Sequence, residues 1–212
     1  MGFLRRRVMV LTAVWATAAC SVSVMCVADT ETSTRGDGYL ESLAAFRDFT
    51  DYRFRDRILS PLPEAERLRF GGLNYFDTDL GLVLHARFEP ARDTSSFAMP
   101  TYDRRTLTYA HHGTLEAELN GRVIRLKTFR RAEDGSLGNV LLVPFRDATN
   151  GTETYAGGRY IEIRLPLPDR PVLDFNRAMN PLCAYDASYA CPIPPPENRL
   201  AQAIRAGEQS YP

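Results

Sequence analysis

Carboxylate and amide side chains recur at short spacing near the end of the chain. Asp174 and Asn176 follow an apolar run and stand two residues apart, so on an extended strand both side chains lie on one face. A carboxylate beside an orienting amide can act as a general base or bind a metal. The same pair can cap backbone donors and hold the following Pro-rich segment in place. Both roles stay open, and the pattern favours the clamp.

A second acid–amide pair, Glu197-Asn198, directly follows three consecutive prolines. Glu197 could stabilise the first turn of the helix-like run after it. It could instead form a catalytic pair with Asp174, if the fold brings the two carboxylates together. In that case the carboxylates activate water and Arg159 steadies the developing charge. The candidate catalytic residues are therefore Asp174, Glu197, Arg159 and Asn176.

The segment R-D-A-T-N-G-T-E, residues 146–153, places several side-chain oxygens in one turn. Calcium prefers such oxygen ligands, so Asp147 and Glu153 are candidate metal ligands and calcium is the candidate cofactor. The pattern favours an ordinary turn closed by Asx-type hydrogen bonds. Two glycines precede Arg159, where they could let a ligand approach the backbone while the arginine binds an anion. A bulge with Arg159 paired to an acid is the favoured alternative.

The N-terminus has the pattern of an export signal. M-G-F-L-R-R-R is basic, and residues 8–16 form an apolar segment of signal-peptide length. Thr17-Ala18-Ala19-Cys20 resembles a lipobox, which predicts residues 1–19 as a signal peptide and Cys20 as the lipidated residue. Cleavage after Ala28 by an ordinary signal peptidase is the alternative. We favour a lipoprotein anchored in the cell envelope over a soluble periplasmic or secreted protein.

The charge balance excludes nucleic acid as a partner. Either cleavage removes three arginines and no acids, which leaves 23 of the 26 basic residues against 26 acidic ones. No basic run remains outside the signal to bind an anionic surface. A lipid anchor is then the predicted route to a membrane. Cys183 and Cys191, the cysteines outside the signal region, are predicted to form a disulfide in an oxidising compartment, with a reduced pair as the alternative.

The residue pattern predicts one β-rich domain over residues 39–212, after a flexible tether at 20–38. Apolar spacing predicts a helix over 39–57, and Ser60-Pro61 predicts the start of a short helix ending near Leu68. Beyond it, Asn-Gly or Asp-Gly pairs at 120, 134 and 150 each predict a tight hairpin. The predicted strands cover residues 80–88, 107–110, 114–119, 122–127, 140–145 and 159–165.

Successive hairpins predict an antiparallel meander. A meander of this length must close into a small barrel or fold into a sandwich. The fold class is therefore mainly β, with an N-terminal helical arm and a Pro-rich C-terminal clasp.

Several tracts resemble one bacterial family, the domain of unknown function 1684. They are F-G-G-L-N-Y-F (70–76), V-P-F-R-D-A-T-N-G-T-E-T-Y-A-G-G-R-Y (143–160), L-D-F-N-R-A-M-N-P-L-C-A-Y (173–185) and C-P-I-P-P-P-E-N-R-L (191–200) with its ending A-I-R-A-G-E. The resemblance spans about residues 40–208 and implies a compact, mostly β domain without implying a reaction. Ala156 and Met179 depart from the family pattern conservatively. The shared positions are Arg146, Asp147, Glu153, Tyr155, Arg159, Asp174, Asn176, Asn180, Tyr185, Glu197 and Asn198.

Two function classes follow from these residues. The first is a hydrolase of ester or phospholipid substrates, in which carboxylates activate water with possible help from a divalent cation. The second is a β-barrel module that binds a lipid or another small apolar ligand without catalysis. In either class the candidate ligand-binding residues are Arg146, Tyr155, Tyr185 and Asn198.

Overall fold

The computed structural model describes residues 25–133 and 136–211. The predicted signal peptide, the lipobox with Cys20 and the Asp134-Gly135 turn lie outside these residues. Two compact units divide the chain between Ser42 and Leu43. All strands and candidate site residues described by the structure belong to the second unit, Leu43–Pro212.

Two α-helices precede the sheet. Helix α1 spans Met25–Arg55, so the described part of the predicted tether belongs to this helix. Helix α2 spans Glu64–Arg67, with Pro63 at its N-cap. The predicted start at Ser60 is wrong, because a residue before a proline avoids the α conformation and Leu62 stands directly before Pro63. The Ser60 hydroxyl instead accepts a hydrogen bond from the Leu62 amide at 3.2 Å.

Antiparallel strands make up most of the second unit. The described strands are β1 Val83–His85, β2 Arg87–Pro90, β3 Ser96–Pro100, β4 Thr106–Leu119, β5 Arg122–Glu133, β6 Ser136–Leu137, β7 Val140–Phe145, β8 Arg159–Arg164 and β9 Val172–Asp174. The main sheet has the order β2-β4-β5-β7-β8, with β3 also paired to β4 and β6 to β5, while β1 and β9 form a separate pair. These pairings confirm the prediction of a mainly antiparallel β fold with an N-terminal helix.

The turn chemistry explains how the central strands connect. Asn120 and Gly121 have φ values of 51° and 72°, as a tight hairpin between β4 and β5 requires. The Asn150-Gly151 pair behaves differently. Gly151 has a φ of 85°, but its turn lies inside a long loop, residues 146–158, that joins β7 to β8. The prediction of a two-residue hairpin there is wrong, because Thr149 and Thr154 fold the loop upon itself through a 2.8 Å hydroxyl hydrogen bond.

The main sheet stays open among the described residues. No ladder joins β8 to β2 or β3 there, so the closed barrel considered from the sequence does not form. The β1–β9 pair supplies a second layer, since its Leu84 and Leu173 belong to the same apolar core as Leu115, Leu126 and Val143 of the main sheet. The two layers thus share one apolar core.

Among the described residues, no helix combines the length and the apolar composition that a membrane span requires.

Candidate functional site

A buried ion pair joins the loop after β7 to the first residue of β8. The Arg159 Nη2 atom lies 2.9 Å from the Asp147 Oδ2 atom, and neither side chain is exposed. Arg159 also donates to the backbone carbonyls of Ile204 at 2.7 Å, Glu208 at 3.2 Å and Ala206. Burial lowers the pKa of Arg159, and the Asp147 carboxylate opposes that shift. The predicted anion-binding arginine thus anchors the C-terminal tail.

The two candidate calcium ligands are both engaged by arginines. The second oxygen of Asp147 accepts bonds from the Thr149 amide at 2.8 Å and the Thr149 hydroxyl at 2.6 Å. Glu153 forms a bidentate pair with Arg205, at 2.8 and 2.9 Å. A guanidinium beside each carboxylate repels a cation, so these residues do not fit calcium. Within the described residues, no group of three His, Cys, Asp or Glu side chains is arranged to hold a metal.

Asp174 is the last residue of β9, and Asn176 lies in the 3-10 turn Phe175–Arg177 that follows, so the two do not share one face of an extended strand as expected. The Asp174 carboxylate accepts a hydrogen bond from the Asn176 backbone amide at 3.0 Å and pairs with the Arg177 Nε atom at 3.1 Å. The side-chain amide of Asn176 is fully buried. It donates to the Asp79 carbonyl at 2.8 Å and accepts from the Asp79 backbone amide at 2.9 Å. These contacts are of the capping kind that the clamp alternative describes, but they hold Asp79 and the turn after β9, and the predicted hold on the Pro-rich segment stays a prediction.

Glu197 and Asn198 are neighbours in sequence with different environments. The Glu197 carboxylate is exposed and forms a 2.6 Å ion pair with Lys127. The Asn198 side chain is fully buried and makes three bonds. It accepts from the Lys127 amide at 2.7 Å and donates to the carbonyls of Lys127 at 2.9 Å and Pro144 at 2.7 Å. Asn198 therefore bridges β5 and β7, two strands that pair directly only at Phe129 and Leu142.

The predicted ligand-binding residues do not form one cluster. The Arg146 amide donates to the Asn198 carbonyl at 3.0 Å, and Tyr155 belongs to the same loop as Arg146, whereas Tyr185 packs in a separate apolar cluster with Phe54 and Leu62. Arg146 donates to the Tyr102 hydroxyl at 3.0 Å and to the Ala156 carbonyl at 3.2 Å. The Tyr155 hydroxyl lies 3.9 Å from the Cys183 Sγ atom. The cysteines are free thiols, although the Cys183 amide donates to the Cys191 Sγ atom at 3.0 Å. No disulfide joins Cys183 to Cys191, and oxidation of this adjacent pair stays a prediction.

Glu208 is a buried acid that the sequence analysis did not select. Only 2% of it is exposed, and its Oε2 atom accepts bonds from the Tyr185 hydroxyl at 2.5 Å and the Asn180 amide at 2.7 Å. Burial raises the pKa of Glu208 to about 7, against the lowering effect of these two donors. A carboxyl group poised near neutral pH is suited to proton transfer. We call the surrounding group the Glu208 centre: Glu208, Tyr185, Asn180, Tyr75, Arg159 and Arg47.

Unpaired polar atoms concentrate at the Glu208 centre. Among the described residues, the buried side-chain atoms without a hydrogen-bond partner are Tyr75 Oη, Asn180 Oδ1, Arg159 Nε and Arg47 Nε. Tyr75 forms a backbone bridge with Glu208, and the Arg47 guanidinium lies 4.5 Å from the centre of the Tyr75 ring. Buried polar atoms are almost always paired, so these four, in residues that contact Glu208 or its neighbour Tyr75, mark places for further polar contacts.

The backbone explains why the acid reaches the interior. Gly207 has a φ of 77°, and a Cβ atom there would lie 2.6 Å from the Ala178 carbonyl oxygen. Only glycine lets the tail pass this close to the segment after β9. The Glu208 amide then donates to the Ala178 carbonyl at 2.9 Å. In the sequence, only the Gly207-Glu208 pair marks this position, and the tail around it lacks the periodicity that would predict burial.

We expect the titration of Glu208 to make the stability of the domain depend on pH. Its pKa rises from an ordinary 4.5 when unfolded to about 7 when folded. Below pH 4.5 Glu208 is protonated in the folded and the unfolded chain, and the protonated carboxyl group makes its full contribution to the free energy of unfolding. As the pH rises toward 7, the unfolded chain releases its proton first, so stability falls, by on the order of 3 kcal/mol.

Denaturant unfolding of the wild type and Glu208→Gln across this pH range measures the effect. The glutamine cannot titrate, so the variant should gain stability relative to the wild type between about pH 4.5 and 7. A constant difference between the two proteins over that range would show that the pKa of Glu208 is not raised.

A shallow groove of about 470 Å³ lies elsewhere, beside β1, β4 and the segment before β9. Its polar lining comes from His85, Arg87, Glu116, Glu118, Asp169 and Arg170. Arg87 and Glu116 pair with each other at 3.0 Å. No residue predicted as a site from the sequence contributes to this groove.

Fold and site together define a small, mainly β protein whose C-terminal tail is tied down by buried polar side chains around a protonatable acid. The chain belongs to the DUF1684 family, whose model, described as a protein of unknown function, matches residues 68–209. A similar solved structure is the solution NMR structure of an uncharacterised protein of Haloarcula marismortui. It is 39% identical, with coverage of 83% of this chain and 96% of that chain and a TM-score of 0.64. Relatives therefore extend to an archaeal protein. No curated protein matches the chain significantly.

Proposed function

We propose that the chain is a hydrolase of ester or phospholipid substrates in which Glu208 activates water. The observation that carries this proposal is the buried Glu208 carboxyl group, whose pKa is raised to about 7 and which accepts hydrogen bonds from the Tyr185 hydroxyl and the Asn180 amide. The lipobox-like Thr17-Ala18-Ala19-Cys20 adds the proposal that the enzyme is exported and held at a membrane by lipid on Cys20, close to ester-containing lipids.

The chemistry assigned to Glu208 is general base catalysis. In its ionised form the carboxylate accepts a proton from water while the water oxygen attacks the ester carbonyl carbon. The tetrahedral intermediate then expels the alcohol oxygen, which takes the proton back from Glu208. The Tyr185 hydroxyl holds the Oε2 atom in place throughout.

An unpaired donor supplies the second requirement of ester hydrolysis. Negative charge develops on the former carbonyl oxygen, and donors aimed at it stabilise the transition state. Tyr75, which forms a backbone bridge with Glu208, is the proposed donor, because its buried Oη atom lacks a hydrogen-bond partner. Because Glu208 is only 2% exposed, a substrate can enter only when residues covering it move aside. Asp174 and Arg159 then serve to hold the chain around the centre.

The test is hydrolysis of short-chain esters and phospholipids by the full chain, with and without calcium and a chelator. We expect turnover in the wild type to fall by about 100-fold or more in Glu208→Gln, the usual size of a general-base effect. Asp174→Asn is the matched control, since it replaces another buried carboxylate, and its folded fraction should keep most of the turnover. Chelation should leave the rate unchanged, because an arginine accompanies each candidate calcium ligand.

Other outcomes would redirect the assignment. Equal turnover in the wild type and Glu208→Gln would remove Glu208 from catalysis, and loss in Asp174→Asn alone would restore the carboxylate predicted from the sequence. Fractionation of cells with and without Cys20→Ala tests the anchor. The wild type should sediment with membranes and the variant should not.

A binding module is the second candidate, and the groove beside β1 and β4 is the observation that favours it. Its volume of about 470 Å³ lies within the range of small-molecule sites. Its lining of paired acids and bases suits a polar ligand better than the apolar ligand expected from the sequence. Absence of turnover on every ester, together with ligand-induced shifts of His85 and Arg87 in NMR spectra, would place this candidate first.

A further inference from the structure

The two thiols of the C-terminal segment are adjacent in space but differ in exposure. Cys183 is partly exposed, in the short 3-10 turn Leu182–Ala184, whereas only 3% of Cys191 is accessible. The Cys183 amide donates to the Cys191 Sγ atom at 3.0 Å. One thiol can therefore meet a reagent from solvent while the other is held directly behind it.

The two sulfur atoms have different polar neighbours, and the pKa values of the two thiols shift in opposite directions. The Tyr155 hydroxyl lies 3.9 Å from the Cys183 Sγ atom, within reach of a weak hydrogen bond to sulfur. Contact with the Cys191 thiol lowers the pKa of Cys183, with Tyr155 acting in the same direction. Contact with Cys183 and burial raise the pKa of Cys191. The accessible sulfur atom is thus the one favoured as a thiolate, and the thiolate is the reactive form.

The backbone holds this arrangement in place. The carbonyl of Cys191 accepts the Tyr102 amide at 3.2 Å, and the Tyr102 hydroxyl donates to the Gly157 carbonyl at 2.5 Å. Arg146 donates to the same hydroxyl at 3.0 Å. The buried thiol is therefore attached to the long loop before β8, while the partly exposed thiol sits on a separate turn.

We propose that Cys183 and Cys191 form a thiol–disulfide exchange site, with Cys183 as the attacking thiol and Cys191 as the resolving thiol. The co-reactant is a disulfide of a peptide or a small thiol. The Cys183 thiolate attacks one sulfur atom of this disulfide, which forms a mixed disulfide and releases the first thiol.

The second step returns the partner in its reduced form. Cys191 loses its proton and attacks the Cys183 sulfur atom, which forms the Cys183–Cys191 disulfide and releases the second thiol. Two protein thiols are oxidised, and one disulfide is reduced to two thiols. This activity is independent of the hydrolase proposed above, because it uses neither Glu208 nor its neighbours.

The test uses the full chain with Cys20 and Cys26 replaced by serine, so that only this pair can react. Oxidised glutathione is the probe and intact-protein mass spectrometry is the readout. We expect the pair to lose two hydrogen atoms and retain no glutathione. The Cys191→Ser variant should instead accumulate one glutathione on Cys183. The Cys183→Ser variant should react at least about tenfold more slowly, because its remaining thiol is buried.

A denatured control makes each result decisive. In urea, both single-cysteine variants should react at similar rates, and in buffer both should keep the circular dichroism spectrum of the parent. Equal rates in the folded variants, faster reaction at Cys191, or a stable mixed disulfide in the protein with both cysteines would each overturn the proposal. Tyr155→Phe should slow the reaction at Cys183 without altering the rates in urea.

Discussion

Replacing Arg159 with methionine should destabilise the second unit by about 3–5 kcal/mol, the usual effect of removing one partner from a buried ion pair. The substitution leaves the Asp147 carboxylate buried without its counter-charge and deprives three tail carbonyls of their donor. Methionine fills much of the volume of arginine, so the decrease in the free energy of unfolding measures the lost polar contacts more than lost packing. Urea unfolding at constant pH measures it.

The matched control for this prediction is Arg205→Gln. Arg205 also pairs with a carboxylate, that of Glu153, but on the surface. Exposed pairs contribute little, so its unfolding midpoint should stay within error of the wild type. A loss below about 1 kcal/mol in Arg159→Met would mean that the tail is held by apolar packing instead of by this arginine.

Asn198→Ala should have the second largest effect, a loss of about 3 kcal/mol in the free energy of unfolding. The asparagine satisfies the amide and carbonyl of Lys127 and the carbonyl of Pro144, and alanine leaves these backbone groups without their partner. Asn198→Asp should recover only part of the loss, because a carboxylate accepts from the Lys127 amide but cannot donate to the carbonyls. Thermal and urea unfolding of both variants check this order.

Glu197→Gln provides the neighbouring control. Its exposed ion pair with Lys127 should contribute nothing measurable. An Asn198→Ala variant as stable as Glu197→Gln would contradict the bridging role assigned to this amide between β5 and β7.

Strands could be read from the sequence where local patterns carry the information. The apolar run Val140–Phe145 matches β7 in full, and the alternating run from Arg159 matches β8. Asn120-Gly121 identified its hairpin because only residues tolerant of positive φ fit both positions. Asn150-Gly151 has the same local pattern, but hydrogen bonds within residues 146–158 make it part of a long loop instead of a two-residue hairpin.

Contacts between distant residues account for what the sequence could not predict at the site. Asp174 and Glu197 were considered as a pair, yet Glu197 pairs with Lys127 of β5 and Asp174 with Arg177. The capping part of the clamp alternative describes the contact of Asp174 with the Asn176 backbone amide, since capping by a short polar side chain is a local effect. Glu208 had no such local signal. Its burial depends on Tyr185, on the tail passing Ala178, and on the aromatic and basic residues around it.

The most direct test of the central claim is the titration of the Glu208 carboxyl group, followed by NMR in protein labelled with carbon-13 at glutamate side chains. The Glu208 signal is assigned by its loss in Glu208→Gln. The structure predicts a midpoint at about pH 7, and a higher one in Tyr185→Phe, because the Tyr185 hydroxyl lowers the pKa of this acid. A midpoint near the ordinary value of 4.5 would contradict the assignment of Glu208 as a buried acid suited to proton transfer at neutral pH.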